Sequence, residues 1–288
     1  MLTSIGEKID KHPFGFSLIA VVLLTLLAYG GTVRNGFVWD DETFIVDNPF
    51  IHDLSLWPRY FTDSKSVSNV PVLSNMYRPL QTVSFAFDAA LWKSWAGGFH
   101  LTSLLLHIGA SLAIIFAFGT LLGTRAAVAA SVVFSIHPAL SEGALSLAAR
   151  GNQLYTIFAL ISIGFFVRIA KPFDRSHTFS ILAAILSFLS KEPAVILVIL
   201  LPLIQALFEL PWKLRSRQSL LLFVPYLVGA VLYLVLRSAV IEATWTIPAW
   251  GGGPWRTVLM QAKVFVIYLR LSVWPFLLYG RYPVPYSD

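Results

Sequence analysis

From residue 99 to residue 279 the chain is a succession of apolar runs, and two thirds of the charged residues there sit between them. The runs cover 99–123, 126–145, 152–170, 178–190, 193–210, 218–240 and 257–279, with an earlier one at 15–33. Most approach the roughly 20 residues that a helix needs to cross about 30 Å of hydrocarbon. A soluble fold cannot bury so much apolar surface. Only 12% of the residues are charged while 57% are hydrophobic. The expectation is an all-α membrane protein with about eight transmembrane or membrane-embedded helices, forming a single polytopic domain over 1–288.

Three parts are expected within it: a first transmembrane helix at 15–33, a long loop at 34–98, and a helical bundle at 99–279. The first run is too long for the apolar core of a secretory signal, so it reads as a retained helix. In the loop, 50–62 and 79–95 mix apolar and polar residues around Trp57, Tyr60, Phe61, Trp92 and Trp95, which suits helices lying in the membrane interface. Lys191-Glu192-Pro193 divides two short runs. A charge at the bilayer centre costs about 2.5–3.5 kcal/mol on insertion scales, so a tight corner at an interface is expected there.

Alternate threading puts Arg125, Arg168, Lys171, Arg175, Lys213, Arg215, Arg217 and Arg281 on the side of the N-terminus, with Lys8 and Lys11. Short loops rich in Lys and Arg stay in the cytoplasm. The loop at 34–98, Arg150, the 191–192 corner and 241–256 then face away from it. The net charge of +6 is dispersed through these loops and forms no run that could track a phosphate backbone, so nucleic acid is not an expected partner. There is no cysteine, which excludes disulfides, thiolate metal sites and a cysteine nucleophile.

Four groups could carry chemistry, all on the extracytoplasmic face. Asp40, Asp41 and Glu42 follow Trp39. Partly desolvated and flanked by like charge, such a carboxylate gains proton affinity and could serve as a general base; a solvated loop start is the plainer reading. Arg78 lies between Tyr77 and Pro79, and a guanidinium suits phosphate; His100 and His107, seven residues apart, share a helix face, with packing the plainer role for His107. His137 and Glu142 lie near a helix end before Arg150-Gly151-Asn152-Gln153, where a structural His–Glu pair competes with a functional one. Lys191 and Glu192 complete the set.

The succession N-G-F-V-W-D-D (35–41), Asn48, W-P-R-Y-F (57–61), Y-R-P-L (77–80), F-H-L-T-S-L-L-L-H (99–107), H-P-A-L-S-E (137–142), A-R-G-N-Q-L (149–154), L-S-K-E (189–192) and Y-L-R-L-S-V-W-P (268–275) resembles the membrane half of the GT-C glycosyltransferases. It is most similar to the transmembrane-and-TPR-containing O-mannosyltransferases and their bacterial relatives. The resemblance implies transfer of a sugar, mannose in that group, from a polyprenyl-phosphate donor to an extracytoplasmic protein, lipid or glycan acceptor by inverting displacement. It implies a catalytic base at Asp40, with Asp41 as the neighbouring candidate. Arg78, His137, Glu142, Arg150, Lys191 and Glu192 would lie near the donor phosphate or sugar.

The chemistry agrees. A sugar on phosphate already has a good leaving group, so one base at the acceptor suffices and cations stabilise the departing phosphate. A divalent metal on the oxygens of Asp40, Asp41 and Glu42 is a further option that the sequence leaves open. The family continues into more helices and a TPR domain where this chain stops at Asp288, and Asn152-Gln153 replaces an acidic residue frequent in relatives. A truncated, inactive structural homologue is therefore one alternative, and a flippase or transporter of lipid-linked sugars is another. A bacterial inner membrane is the expected location.

Overall fold

The computed structural model describes residues 13–68, 70, 76–208, 210, 217–241, 253–276 and 278. Its long helices are α1 (Pro13–Tyr29), α2 (Pro79–Trp92), α3 (Ala96–Leu122), α4 (Thr124–Ile136), α5 (Arg150–Phe166), α6 (Arg175–Ser190), α7 (Leu197–Leu207), α8 (Arg217–Val240) and α9 (Pro254–Val273). No strand occurs among the described residues. The expected runs of the bundle correspond each to one long helix, except that at 126–145, which is broken. Proline opens α1, α2 and α9, where its missing N–H is no loss. Gly123, at φ +83°, makes the left-handed turn from α3 into α4.

The expected number of spans needs correction. By length and composition three helical stretches are fit to cross a membrane among the described residues: Ser17–Arg34, Ala96–Leu122 and Leu221–Val240. A fourth follows if Thr124–Ile136 and Pro138–Leu145, bent by 61°, count as one broken span. The others fall short for identifiable reasons. At 17, 16 and 11 residues, α5, α6 and α7 reach only about 26, 24 and 17 Å at 1.5 Å per residue. Helix α9 is 20 residues long but carries Arg256, Lys263 and Arg270. The chain is a helical membrane protein with, among the described residues, three or four such spans rather than eight.

Two breaks have local causes. His137 precedes Pro138 and is extended (φ −66°, ψ 121°), as steric pressure from a following proline requires, so the single run expected at 126–145 is split. Lys191 is extended (φ −163°, ψ 146°) and ends α6 before a 3-10 stretch at Glu192–Ile196 that leads into α7. The stretch 50–62 is not one interfacial helix but three single turns, Pro49–His52, Leu54–Leu56 and Arg59–Thr62. Asp53 accepts from the N–H of Ser55 and starts a new turn there. Residues 79–92 do form the expected helix.

Helix α5 is central, packed along α3 and α6, while α4 lies between α1 and α3. Side chains knit the bundle where lipid supplies no hydrophobic drive between helices. Ser131 donates to the carbonyl of Ser111, joining α4 to α3. Ser180 donates to the carbonyl of Ser162, Ser162 returns a bond to the carbonyl of Ser180, and Tyr226 donates to Ser180 Oγ. That ladder unites α5, α6 and α8. Lys8, Lys11, Lys213, Arg215 and Arg281, part of the expected orientation, lie outside the described residues, as does most of the loop at 241–256.

Candidate functional site

The 147–152 segment, where the chain enters α5, is the point on which the first loop, α2, α3 and the α6–α7 break converge. Asp41 is 1% exposed and uses both carboxylate oxygens. Oδ2 accepts from the N–H of Val38 at 3.1 Å, within its own turn. Oδ1 accepts from the N–H of Ala148 at 2.9 Å, across 107 residues of sequence. Burial pushes its carboxyl above the usual carboxylate range, opposed by these two N–H groups and by nearby His100, and reinforced by Asp40.

Asp40 and Glu42 are exposed. Neighbouring residues in this turn therefore point apart: one carboxylate latches the loop to the bundle while the one before it faces outward. Trp39, at φ +52° and 84% exposed, takes the left-handed conformation that makes this divergence. For a bulky residue such backbone strain costs about 1–3 kcal/mol and concentrates at functional sites. The acidic trio does not converge as a ligand set. No group of three or more His, Asp or Glu side chains able to hold a metal ion occurs among the described residues.

The loop behind these residues is held from within. Asn48 is fully buried, donating to the carbonyls of Phe44, Ser66 and Val67 and accepting from the N–H of Phe50. His100 pairs through Nδ1 with Thr32 Oγ1 at 3.0 Å and through Nε2 with the carbonyl of Gly36, tying the start of α3 to the exit of α1. His107 packs against Tyr29 and Phe134 and reaches the carbonyl of Ser135, the plainer role expected of it.

On the other flank of the 147–152 segment lies the cationic group. Arg78 Nε donates to both carboxylate oxygens of Glu192, at 3.1 and 3.4 Å. Lys191 donates to Asn152 Oδ1. Burial and the Arg78 charge push the Lys191 ammonium below its ordinary value, while Glu192 and Glu142 act the other way. Gln81 connects the two flanks: its Nε2 donates to the carbonyl of Ala148, and its Oε1 lies where a side chain at position 151 would begin, 2.5 Å from an ideal Cβ. Glycine at 151 permits this close approach of α2 to α5.

Thus Asp41 and Lys191 bond to this segment, with Asp40 adjoining the first and Arg78, Glu192 and Glu142 close to the second. Two other candidates are placed differently. His137 accepts through Nδ1 from the N–H of Ala139 and lines an apolar groove of about 580 Å³ together with Ile114, Phe118, Val133 and Leu160. Arg150 is 0% exposed. Its guanidinium is ion-paired with Asp88 at 2.5 Å, donates to the carbonyl of Phe99 and to Ser103 Oγ, and stacks 4.6 Å from the Phe85 ring. Enclosed in this way, it presents nothing to a ligand outside. Asp88 and Gln81 were missed by the sequence reading. For Asp88 the signal is an ionisable residue within an apolar helix, which calls for a partner; Gln81 carries no such signal.

The fold and site define a helical membrane protein with an acidic turn and a cationic cluster gathered at one end of its bundle. Comparison with known proteins gives that description company: the chain is similar to protein O-mannosyl-transferases, and the resemblance stands. It is 27% identical over 194 residues to a protein O-mannosyl-transferase of Caenorhabditis elegans, covering 61% of this chain and 26% of that one. It is 28% identical over 184 residues to TMTC4 of Homo sapiens (57% and 24%), and 27% identical over 168 residues to Tmtc2 of Drosophila melanogaster (56% and 18%). The chain thus spans about a quarter or less of the length of these relatives. No family model matches it, and no solved structure does.

Proposed function

We propose that this chain is a GT-C type glycosyltransferase that moves a sugar, mannose by analogy with its relatives, from a polyprenyl-phosphate donor to an acceptor hydroxyl on the extracytoplasmic face. What supports this reading is that Asp41, next to the outward carboxylate of Asp40, and Lys191, close to the Arg78–Glu192 pair, both bond to residues 147–152. Their opposite charges suit the two ends of a displacement. Arg78 and Lys191 hold the donor phosphate. The acceptor oxygen attacks the anomeric carbon from the face opposite that phosphate, and Asp40 takes the hydroxyl proton. As the carbon–oxygen bond to phosphate breaks, the electron pair leaves with the phosphate, where the two cations stabilise the charge.

Glu192 orients Arg78, and Glu142 adjusts the field at Lys191. Acceptors are protein hydroxyls, in line with the names of the relatives. The membrane is the bacterial inner membrane, with Arg125, Arg168, Lys171 and Arg175 in the cytoplasm. The test is reconstitution of the chain in vesicles with polyprenyl-phosphate mannose and a Ser/Thr peptide. Mannosylated peptide should appear and should vanish with Asp40→Asn. Undiminished turnover by that variant removes the proposed base, and the absence of any transfer by the parent chain removes the reading.

A further inference from the structure

The Arg150–Asp88 pair sits deep in the bundle with no opening to the site, yet it belongs to the same segment. A buried ion pair repays its desolvation only with good geometry and further hydrogen bonds, and apolar residues of similar volume frequently serve stability as well. Here the further bonds are present. Asp88 accepts from Thr102 Oγ1 at 2.7 Å, and Arg150 adds the carbonyl of Phe99, Ser103 Oγ and the Phe85 ring. These partners belong to α2 and α3, so the pair fixes where α5 begins relative to both.

Two residues earlier in the chain is Ala148. Its N–H holds Asp41, and its carbonyl is held by Gln81 of α2. The Ala148 peptide is thus clamped on one side by α2 and on the other by the acidic turn. Arg150 N–H donates to the carbonyl of Leu147 at 2.9 Å and closes the turn that contains it. Displacement of Arg150 would move the Ala148 N–H, then Asp41, and with it the adjoining Asp40.

We propose that Asp88, Arg150 and Gln81 are positioning residues: they hold the Ala148 peptide so that Asp41 is latched and Asp40 is aimed at the acceptor. This rests on the transferase reading for its catalytic consequence, but the mechanical link can be read without turnover. The test is the double variant Asp88→Leu/Arg150→Met in vesicles, which removes both charges together and leaves neither one orphaned. The expected result is a melting temperature near that of the parent, kcat lower by about 100-fold as for a displacement near 1 Å, donor KM within about twofold, and faster hydrogen exchange at the Val38 and Ala148 amides.

A stable double variant with parental kcat and parental exchange overturns the proposal, since the pair is then only structural. A raised donor KM with kcat retained also overturns it, because Arg150 would then contact the donor. Should the double variant not fold, Gln81→Met decides: it releases the Ala148 carbonyl without touching a charge. Faster exchange at Ala148 is expected, and unchanged exchange sinks the link. If the parent chain transfers no sugar, the transferase reading fails, while the exchange measurement still answers for the latch.

Discussion

At the scale of single residues, the sequence places Asp40 and Asp41 together and the fold separates their roles. Asp40→Asn should lower kcat by at least about 100-fold, the ordinary scale of a general base, with little change in melting temperature. Asp41→Asn should act the other way round, because an amide cannot accept from both Val38 and Ala148 (its nitrogen meets an N–H). Its main effect should be on the melting temperature. The pH dependence has a definite sign. Burial raises the Asp41 carboxyl in the folded chain, so its favourable contribution is full below the ordinary carboxylate range near about 3.9 and is lost as pH rises through the raised value. The advantage in melting temperature of the parent over Asp41→Asn should therefore shrink as pH rises from about 4 through the weakly acidic range.

Lys191 gives the complementary test. Its ammonium titrates below the ordinary lysine value, so affinity for an anionic polyprenyl phosphate should weaken as pH rises through that depressed value, before free lysine loses its proton near about 10.4. Lys191→Arg should abolish this alkaline limb in a binding titration, since guanidinium stays charged. Residue type alone grouped Arg78, Lys191 and Glu192, which are neighbours in space. What could not be read was direction. Whether Asp40 or Asp41 turns inward depends on Trp39 entering the left-handed region, and Arg150 is internal because of Asp88, whose helix looked merely interfacial.

At the scale of elements, the positions of the bundle helices were readable from apolar runs and the corner at Lys191-Glu192 from its charge, whereas the break at Pro138 was hidden inside what reads as one run. Length was not readable, since the polar residues that end α5 and α6 do so through particular partners. Asp174 caps α6 by accepting from the N–H of His177 at 2.7 Å, and Arg168 folds back onto the carbonyl of Phe116. Nor did the apolar runs disclose the serine ladder. In a membrane such a side-chain bond contributes on average about 0.6 kcal/mol, so Tyr226→Phe should lower stability by about that much, read by unfolding in detergent. Ser180→Ala should cost more, because it removes both the acceptor for Tyr226 and the donor to Ser162. Combining the two should give less than the sum, as coupled partners do.

At the scale of the whole molecule, the contacts define two ends. Arg168 lies 4.4 Å from the ring of Phe116, far along α3, and marks one end with Arg125 and Lys171 nearby in sequence. Arg150 reaches the carbonyl of Phe99, near the start of the same helix, and marks the other with Asp41 and Ala148. Seventeen residues of α-helix separate Phe99 from Phe116, about 26 Å at 1.5 Å per residue, which is most of a hydrocarbon core. Because the chain has no cysteine, single cysteines introduced at exposed positions can assign both ends with a membrane-impermeant thiol reagent. Glu42→Cys and Pro193→Cys should react from one compartment, and Arg125→Cys and Lys171→Cys only from the opposite one. Carboxylate and phosphate-binding cations can act on one donor only if they share an aqueous face. Labelling of positions 42 and 193 from different compartments would therefore dismantle the site itself, whatever activity the chain proved to have.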